Sequence, residues 1–157
     1  MNIEQLFADA RRDPSLFSQL DINRILDSLE NTSNDYLENQ SLETIQTAVR
    51  DACVREKFSK PVVKLFCEKL ADYRFIDQIR DLHKGKHVRW IRLGGAEPKL
   101  TNGGIVVDIK FLDNGTHVLT KNNMNHFVQY KFDDCLTFQK LSVGEQLILM
   151  AYEHLGE

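Results

Sequence analysis

The densest group of chemically active side chains in this sequence lies between residues 83 and 92. The stretch contains two Lys, two Arg and two His without an acidic residue, and Trp90 is interleaved with them. Such cations could contact phosphate groups while the indole stacks on a base, which is the chemistry of nucleic-acid binding. The candidate cations are Lys84, Lys86, Arg89 and Arg92.

A structural role is the alternative for the same stretch. Residues 83–86 would then be a solvated linker, and the strand that follows would bury Trp90 as a core anchor while Arg stems cover apolar surface. On a strand, Trp90 shares a face with Val88 and Arg92, which favours the core role. Both interpretations stay open at this point.

Five aromatic residues of the C-terminal half form a second candidate set. If three of their rings converged at one end of a sheet, they could hold a cation against their π faces. Strand alternation works against this, because Tyr130 and Phe132 would share one face of their strand while Phe127 takes the other. We therefore expect at least two of the rings in the core and retain Tyr130 as a candidate binding residue. The set comprises Phe111, Phe127, Tyr130, Phe132 and Phe138.

Metal-binding and catalytic patterns are weak in this chain. His83 and His87 have the four-residue spacing of zinc ligands on a helix, but Gly85 lies between them and the pattern turns to strand there. The sequence has no P-loop, no G-x-S-x-G and no H-E-x-x-H motif. The acidic pair before Cys135 is typical of a turn. We expect no enzyme, no cofactor and no metal site.

Composition describes an ordinary soluble globular protein. The 157 residues are 42% hydrophobic and 27% charged, with a net charge of −3, so no overall basicity indicates nucleic acid as a partner. The three cysteines are odd in number, and buried reduced thiols are expected, with a Cys53–Cys67 disulfide as the alternative. The sequence has no apolar run long enough to span a bilayer and no signal-peptide pattern at its start. We therefore expect an intracellular protein, cytoplasmic or nuclear, that does not associate with a membrane.

The N-terminal half is expected to be helical. Caps are predicted at Asp13, which Pro14 follows, at Ser41, and at Ser59, two residues before Pro61, and each precedes apolar residues at helical spacing. The helical pattern continues from Tyr73 to about His83. Short helices with brief connections predict a compact bundle of about five or six helices over residues 1–84.

The C-terminal half is expected to be a small antiparallel sheet. Asn114 and Gly115 predict a two-residue type I′ turn that pairs Phe111 with Val118. Alternation then places an apolar set on one face of the hairpin and a mixed set on the other. The apolar set comprises Ile105, Val107, Ile109, Phe111 and Val118, and the mixed set comprises Val106, Asp108, Lys110, His117, Leu119 and Lys121. The other strands are expected near residues 87–93, 126–132 and 136–141, and a helix is expected after Ser142.

Five short strands with a long first loop and tight later turns resemble the SH3-like small barrels of the Tudor and KOW kind. The residues that carry the resemblance are the run from Gly104 to Asp108 and the turn from Asp113 to Gly115. It covers about residues 86–141. It implies a recognition platform for methylated side chains, for Pro-rich or other peptides, or for nucleic acid. No aromatic cage can be assigned residue by residue.

The sequence as a whole predicts an α+β protein. A helical bundle over residues 1–84 is followed, over residues 85–157, by an SH3-like barrel and a C-terminal helix. We expect a non-catalytic binding or scaffolding protein that uses the barrel to recognise a protein partner. The alternative is a nucleic-acid-associated factor that contacts phosphates through residues 83–92. The oligomeric state stays open. The candidate binding residues are Lys84, Lys86, Arg89, Trp90, Arg92 and Tyr130.

Overall fold

The computed structural model describes Leu37 and residues 40–155, with side chains to residue 153. The helices expected before residue 31 lie outside the described residues. The chain divides into two compact units, one of residues 45–140 and one that joins residues 1–44 to residues 141–157. The first unit therefore includes residues from both sides of the boundary expected between residues 84 and 85.

Two helices precede the sheet. Helix α1 spans Leu42–Arg55, and the Ser41 hydroxyl accepts a hydrogen bond from Thr44 N–H at 3.1 Å, as the predicted cap requires. Helix α2 spans Lys60–Lys69, with Ser59 as its N-cap and a proline in its first turn. Both helices bury one apolar stripe, which in α1 comprises Ile45, Val49, Ala52 and Cys53.

The sheet has six antiparallel strands in the order β1-β6-β2-β3-β4-β5. The five predicted strands are present, and the α+β class is confirmed. The expected closed barrel is wrong, because β1 and β5 are the two edges of this described sheet and do not pair with each other. The strands are β1 Tyr73–Ile76, β2 His87–Arg92, β3 Gly104–Leu112, β4 Gly115–Lys121, β5 Phe127–Lys131 and β6 Cys135–Lys140.

Strand β1 corrects the prediction of a helix from Tyr73 to about His83. Residues 73–76 pair with β6, with Phe75 opposite Phe138, and a short 3-10 turn at Ile79–Asp81 follows. The apolar residues of this segment fit both a helical and an alternating pattern. Pairing with β6 places successive side chains on opposite faces of the sheet. Packing of these side chains stabilises the strand more than local helix propensity stabilises a helix.

Apolar side chains cover both faces of the central strands β2 and β6. On the helix side, Ile91, Leu136 and Phe138 pack with residues of α1 and α2. On the opposite side, Val88 and Trp90 pack with residues of β3, β4 and β5. Successive residues of β2 thus enter different cores, as Trp90 and Ile91 do, and His87 and Arg89 lie on the same side as Ile91.

The β3–β4 hairpin forms with a different turn from the one predicted. Leu112 pairs with Gly115, so the loop is Asp113–Asn114, and Phe111 pairs with Thr116 rather than Val118. The left-handed φ of 125° falls on Gly115. A type I′ turn would need positive φ at both central residues. The register nevertheless keeps Ile109 opposite Val118 on the core side.

A β-bulge at Val107 also changes the predicted faces of β3. Val106 pairs with Thr120 and Asp108 pairs with Leu119, which leaves Val107 as the extra residue. Consequently Val106 is buried with Ile109, whereas Ile105 and Val107 are each 41% exposed. The expectation that Ile105 and Val107 share the core face with Ile109 is therefore wrong.

The second unit contains helix α3, Val143–Leu155, as expected after Ser142. Its start is a reciprocal cap: Glu145 N–H donates to the Ser142 hydroxyl at 3.1 Å, and Ser142 N–H donates to the Glu145 carboxylate at 3.0 Å. In the same unit, Leu42 N–H donates to Glu153 Oε1 at 3.1 Å.

Candidate functional site

The cations of residues 83–92 are not gathered on one surface. Arg89 lies opposite Phe138 and Arg92 lies opposite Cys135, three residues along β2, so alternation directs them to different faces of the sheet. Arg89 Nε donates to the Thr101 carbonyl at 2.8 Å. Lys84 forms an ion pair with Asp108 at 3.3 Å. Lys86 is half-buried.

Trp90 and Tyr130 are brought together, but inside the protein. Their rings stack with centroids 4.2 Å apart, and Trp90 is only 6% exposed while Tyr130 is fully enclosed. The Tyr130 hydroxyl lies 3.1 Å from the Thr137 hydroxyl. Burial raises the pKa of Tyr130 well above its usual value. Neither ring presents a face to solvent. Trp90 is therefore a core residue, the structural alternative to ligand binding.

A polar cluster lies at one end of the helix-covered face. The Tyr73 hydroxyl is 2.9 Å from His87 Nδ1, and Lys140 pairs with Asp72 at 3.8 Å. Burial, followed by the positive charges of Lys140 and Arg89, lowers the pKa of His87. Burial and the neighbouring Asp72 raise the pKa of Tyr73. The contact is an uncharged pair at neutral pH.

The most prominent exposed feature is the outer side of β3, β4 and β5, which we call the cationic face. Its side chains point away from Ile109, Val118 and Tyr130, which fill the core beneath it. Strand register places its members in three rows. These rows are Ile105–Lys121–Phe127, Asp108–Leu119–Gln129 with Val107 beside them, and Lys110–His117–Lys131.

This face continues the helix-covered side of the sheet. His87 of β2 pairs with Ile105 of β3, and alternation places His87 on the same side as Ile91, which packs in the helix-side core. Helices α1 and α2 therefore cover β2 and β6 on this side, whereas β3, β4 and β5 keep it exposed. Phe127 is 62% exposed.

Positive charge dominates the cationic face. The Lys121 ammonium lies 5.6 Å from the centre of the Phe127 ring, within cation–π range. The Lys131 side chain crosses Gly115, where an added Cβ would lie 2.6 Å from Lys131 Cε and 3.4 Å from Asp133 Oδ2, so one carboxylate also lies at this end of the face. Asp108 is engaged by Lys84, and hydrogen bonds from Lys84 and from Ile109 N–H lower its pKa. Lys110, Lys121 and Lys131 thus set the sign of the surface.

Sequence reasoning found part of this surface without recognising it as a site. The mixed face predicted for the hairpin already included Lys110, His117 and Lys121. The members that it missed are Ile105 and Val107 of β3, which the bulge places on this face, and Phe127, Gln129 and Lys131 of β5. Alternation along FVQYK was the available signal, since it separates Phe127 and Lys131 from the buried Tyr130.

Groups that could carry reaction chemistry are sparse in the described part of the chain. No group of three or more His, Cys, Asp or Glu residues there could hold a metal ion. Cys53, Cys67 and Cys135 are free thiols. A groove of about 450 Å³ between α1 and α2 is lined by apolar and charged side chains, among them Arg50, Lys64 and Glu68.

Comparison of the chain with protein-family models, with curated proteins and with solved structures gives no match. Among the described helices, none has both the length and the apolar character that crossing a membrane would need.

Proposed function

We propose that this protein is a non-catalytic binding protein whose cationic face recognises an acidic, partly apolar segment of a protein partner. The observation that carries the proposal is the interleaving of lysines with apolar side chains across three paired strands. Such a surface offers both charge attraction and apolar burial to one extended ligand.

The apolar side chains of this face support a binding role. Ile105 and Val107 are exposed on β3 and Phe127 is exposed on β5, with Lys121 of β4 between Ile105 and Phe127. Met124 in the β4–β5 turn is 69% exposed. Single exposed apolar residues are common, but several on one face of a sheet, interspersed with lysines, offer a partner apolar surface to cover. Covering these side chains would provide the favourable free energy of association.

The charges support an acidic partner. Lys110, Lys121 and Lys131 lie on a chain whose net charge is −3, so the positive potential is local. A local potential of this kind steers an oppositely charged segment to its site and rejects like-charged ones. The resemblance of residues 86–141 to SH3-like modules favours the same role, because those families are recognition platforms.

A protein segment fits this surface better than nucleic acid does. Nucleic-acid affinity grows with the number of phosphates neutralised, and the face offers few unopposed cations together with the carboxylate of Asp108. Three of its four apolar side chains are aliphatic and cannot stack on bases as an aromatic ring does. The alternative based on residues 83–92 is weakened because Arg89 and Arg92 lie on opposite faces.

A fluorescence-anisotropy titration tests the proposal. The probe is a fluorescein-labelled peptide that alternates Glu with Val over the length of β5, titrated with the full chain at low ionic strength. We expect binding that Lys121→Glu/Lys131→Glu weakens by about tenfold or more, because each reversal removes an attraction and adds a repulsion. A peptide with Gln in place of Glu should bind correspondingly less.

Matched controls separate the site from general charge. Lys64→Glu/Lys99→Glu changes the net charge equally at exposed positions outside the cationic face and should leave the affinity unchanged. Equal weakening by both pairs would overturn the proposal. Tighter binding of an oligothymidylate, lost in Lys121→Glu/Lys131→Glu, would replace the protein partner with nucleic acid.

A further inference from the structure

We infer that the partner segment binds as an additional β-strand on the outer edge of β5, which extends the sheet. This inference rests on the proposed function and specifies how the same surface is used. Strand addition takes its affinity from main-chain hydrogen bonds and its selectivity from alternate side chains.

The edge of β5 is suited to this mode. Strand β5 pairs only with β4 among the described strands, and its residues 127–129 are exposed. Proteins protect such edges with inward charges, proline or a covering element. The five residues of β5 contain no proline, and no bulge interrupts their pairing with β4. A regular, exposed edge of this length is a template for another strand.

The backbone groups that would receive the added strand can be identified. In the β4–β5 turn, Asn122 N–H donates to the His126 carbonyl. Antiparallel ladders alternate from such a pair in steps of two, so Val128 and Tyr130 direct their backbone groups toward β4. Phe127, Gln129 and Lys131 then direct theirs away from β4, toward the position of an added strand.

Side-chain alternation defines the chemistry of the added strand. On the cationic face its side chains would lie beside Phe127, Gln129 and Lys131, within reach of the Lys121 charge. Acidic residues are favoured there. On the opposite face they would lie beside Val128, which is 38% exposed, and here an apolar residue is favoured. The occupant is therefore an extended segment that alternates acidic and apolar residues.

Charge complementarity favours a foreign acidic strand over a second copy of β5. The sequence FVQYK contains no acid, so pairing two copies would bring two cationic faces together. In a self-paired dimer, the repulsion between lysines would oppose the gain from burying the apolar side chains. Light scattering over a range of concentrations should accordingly show that the original chain forms no dimer through this edge. A dimer that is lost in Gln129→Pro would contradict this.

Gln129→Pro is the decisive variant. Its ring removes one outward N–H and obstructs an added strand, whereas the ladder to β4 loses no donor because that N–H points away from β4. We expect the Glu–Val peptide to lose at least about tenfold in affinity. Gln129→Ala keeps the N–H and removes the same side chain, and it should bind within about twofold of the original chain.

Two further measurements keep the inference testable if Gln129→Pro folds poorly. Two versions of the same peptide would carry backbone N-methyl groups, one on its odd-numbered residues and the other on its even-numbered residues. The version whose methyl groups face β5 should lose binding, and the version whose methyl groups face away should retain it. In amide hydrogen exchange, the peptide should protect Phe127, Gln129 and Lys131, whose amides face outward.

The outcomes distinguish this inference from the proposed function. Binding that depends on Lys121 and Lys131 but tolerates Gln129→Pro and both N-methylated versions of the peptide would leave the cationic face as the site and overturn strand addition. Absence of any binding that depends on Lys121 and Lys131 would overturn the proposed function itself. Dimers that dissociate in Gln129→Pro would assign the edge to a second copy.

Discussion

Trp90 and Tyr130 stack nearly parallel, with ring centroids 4.2 Å apart and planes 16° from one another. The pair joins β2 to β5, which are separated by β3 and β4 in the sheet order. Their contact shows that the sheet curls over its own core, although the outer strands β1 and β5 of the described sheet do not pair with each other. The two aromatic residues among the six candidate binding residues thus hold the sheet in its curved shape.

Truncation of this stack should be strongly destabilising. We expect Trp90→Ala to lower the free energy of unfolding by about 3–5 kcal/mol, because a buried ring is lost and a cavity remains. Urea unfolding followed by far-UV circular dichroism measures this change. Tryptophan fluorescence cannot be used, because Trp90 is the single tryptophan and the variant lacks it. Val54→Ala, at a position 55% exposed, should change the value by less than about 0.5 kcal/mol. A loss no greater than that control would contradict the core role of Trp90.

The strands were predictable where local chemistry determines them. Turn formers bracket the segments that became β2 to β6, and the helix starts at Ser41 and Ser142 have side-chain caps. The hairpin turn moved by one residue because Gly115 supplies the left-handed conformation alone, while Asn114 keeps negative φ. A local pattern locates such a turn without fixing its register.

Other features depended on tertiary partners that a single sequence does not reveal. Strand β1 exists because β6 offers it an edge, and the bulge at Val107 reverses the face that simple alternation assigns to Val106. The residues of the cationic face are distant in the sequence for the same reason. Lys121 and Phe127 became neighbours only through the register of β4 against β5.

The approach of β3 to β2 requires glycine at position 103. Gly103 has φ of 75°, and an added Cβ would lie 1.9 Å from the Val88 carbonyl oxygen. We expect Gly103→Ala to cost the conformational penalty of about 1–2 kcal/mol and a further 1–3 kcal/mol, roughly, from overlap. Thermal and urea unfolding measure the total.

Gly94→Ala is the matched control for this glycine. Gly94 also has positive φ, at 85°, but no atom of the described residues lies within 4 Å of an added Cβ. Only the conformational penalty of about 1–2 kcal/mol should appear there. Equal losses for the two variants would show that the contact with Val88 relaxes and that the close approach of the strands has no energetic consequence.

Stability should depend on the protonation of His87. Because the pKa of His87 in the folded protein lies below the usual histidine value of about 6.5, the unfolded chain binds the proton first as the pH falls. Stability attributable to His87 is therefore complete above about pH 6.5 and decreases as the pH falls from there toward the folded pKa. Lys140, Arg89, Asp72 and the Tyr73 hydroxyl are the groups that face the ring.

The variant His87→Gln isolates this contribution. Free energies of unfolding between about pH 7.5 and 5.5 should decline less steeply in His87→Gln than in the original chain. Carboxylates titrate in both proteins, so the difference between the two slopes reports His87 itself. Parallel pH profiles, or a steeper decline in the variant, would contradict a lowered pKa for this residue.

Cys53 should resist alkylation until the protein unfolds. Burial, with a smaller effect of Cys67, raises its pKa to about 11, and its side chain is fully buried between α1 and the sheet. At pH 8 only about one Cys53 thiol in a thousand is ionised, and the thiolate is the reactive form. Mass spectrometry after iodoacetamide treatment should show Cys67, which is partly exposed, modified well before Cys53. The Cys53 rate should then rise with urea in parallel with unfolding, and modification of both thiols at one rate in native buffer would contradict the buried position.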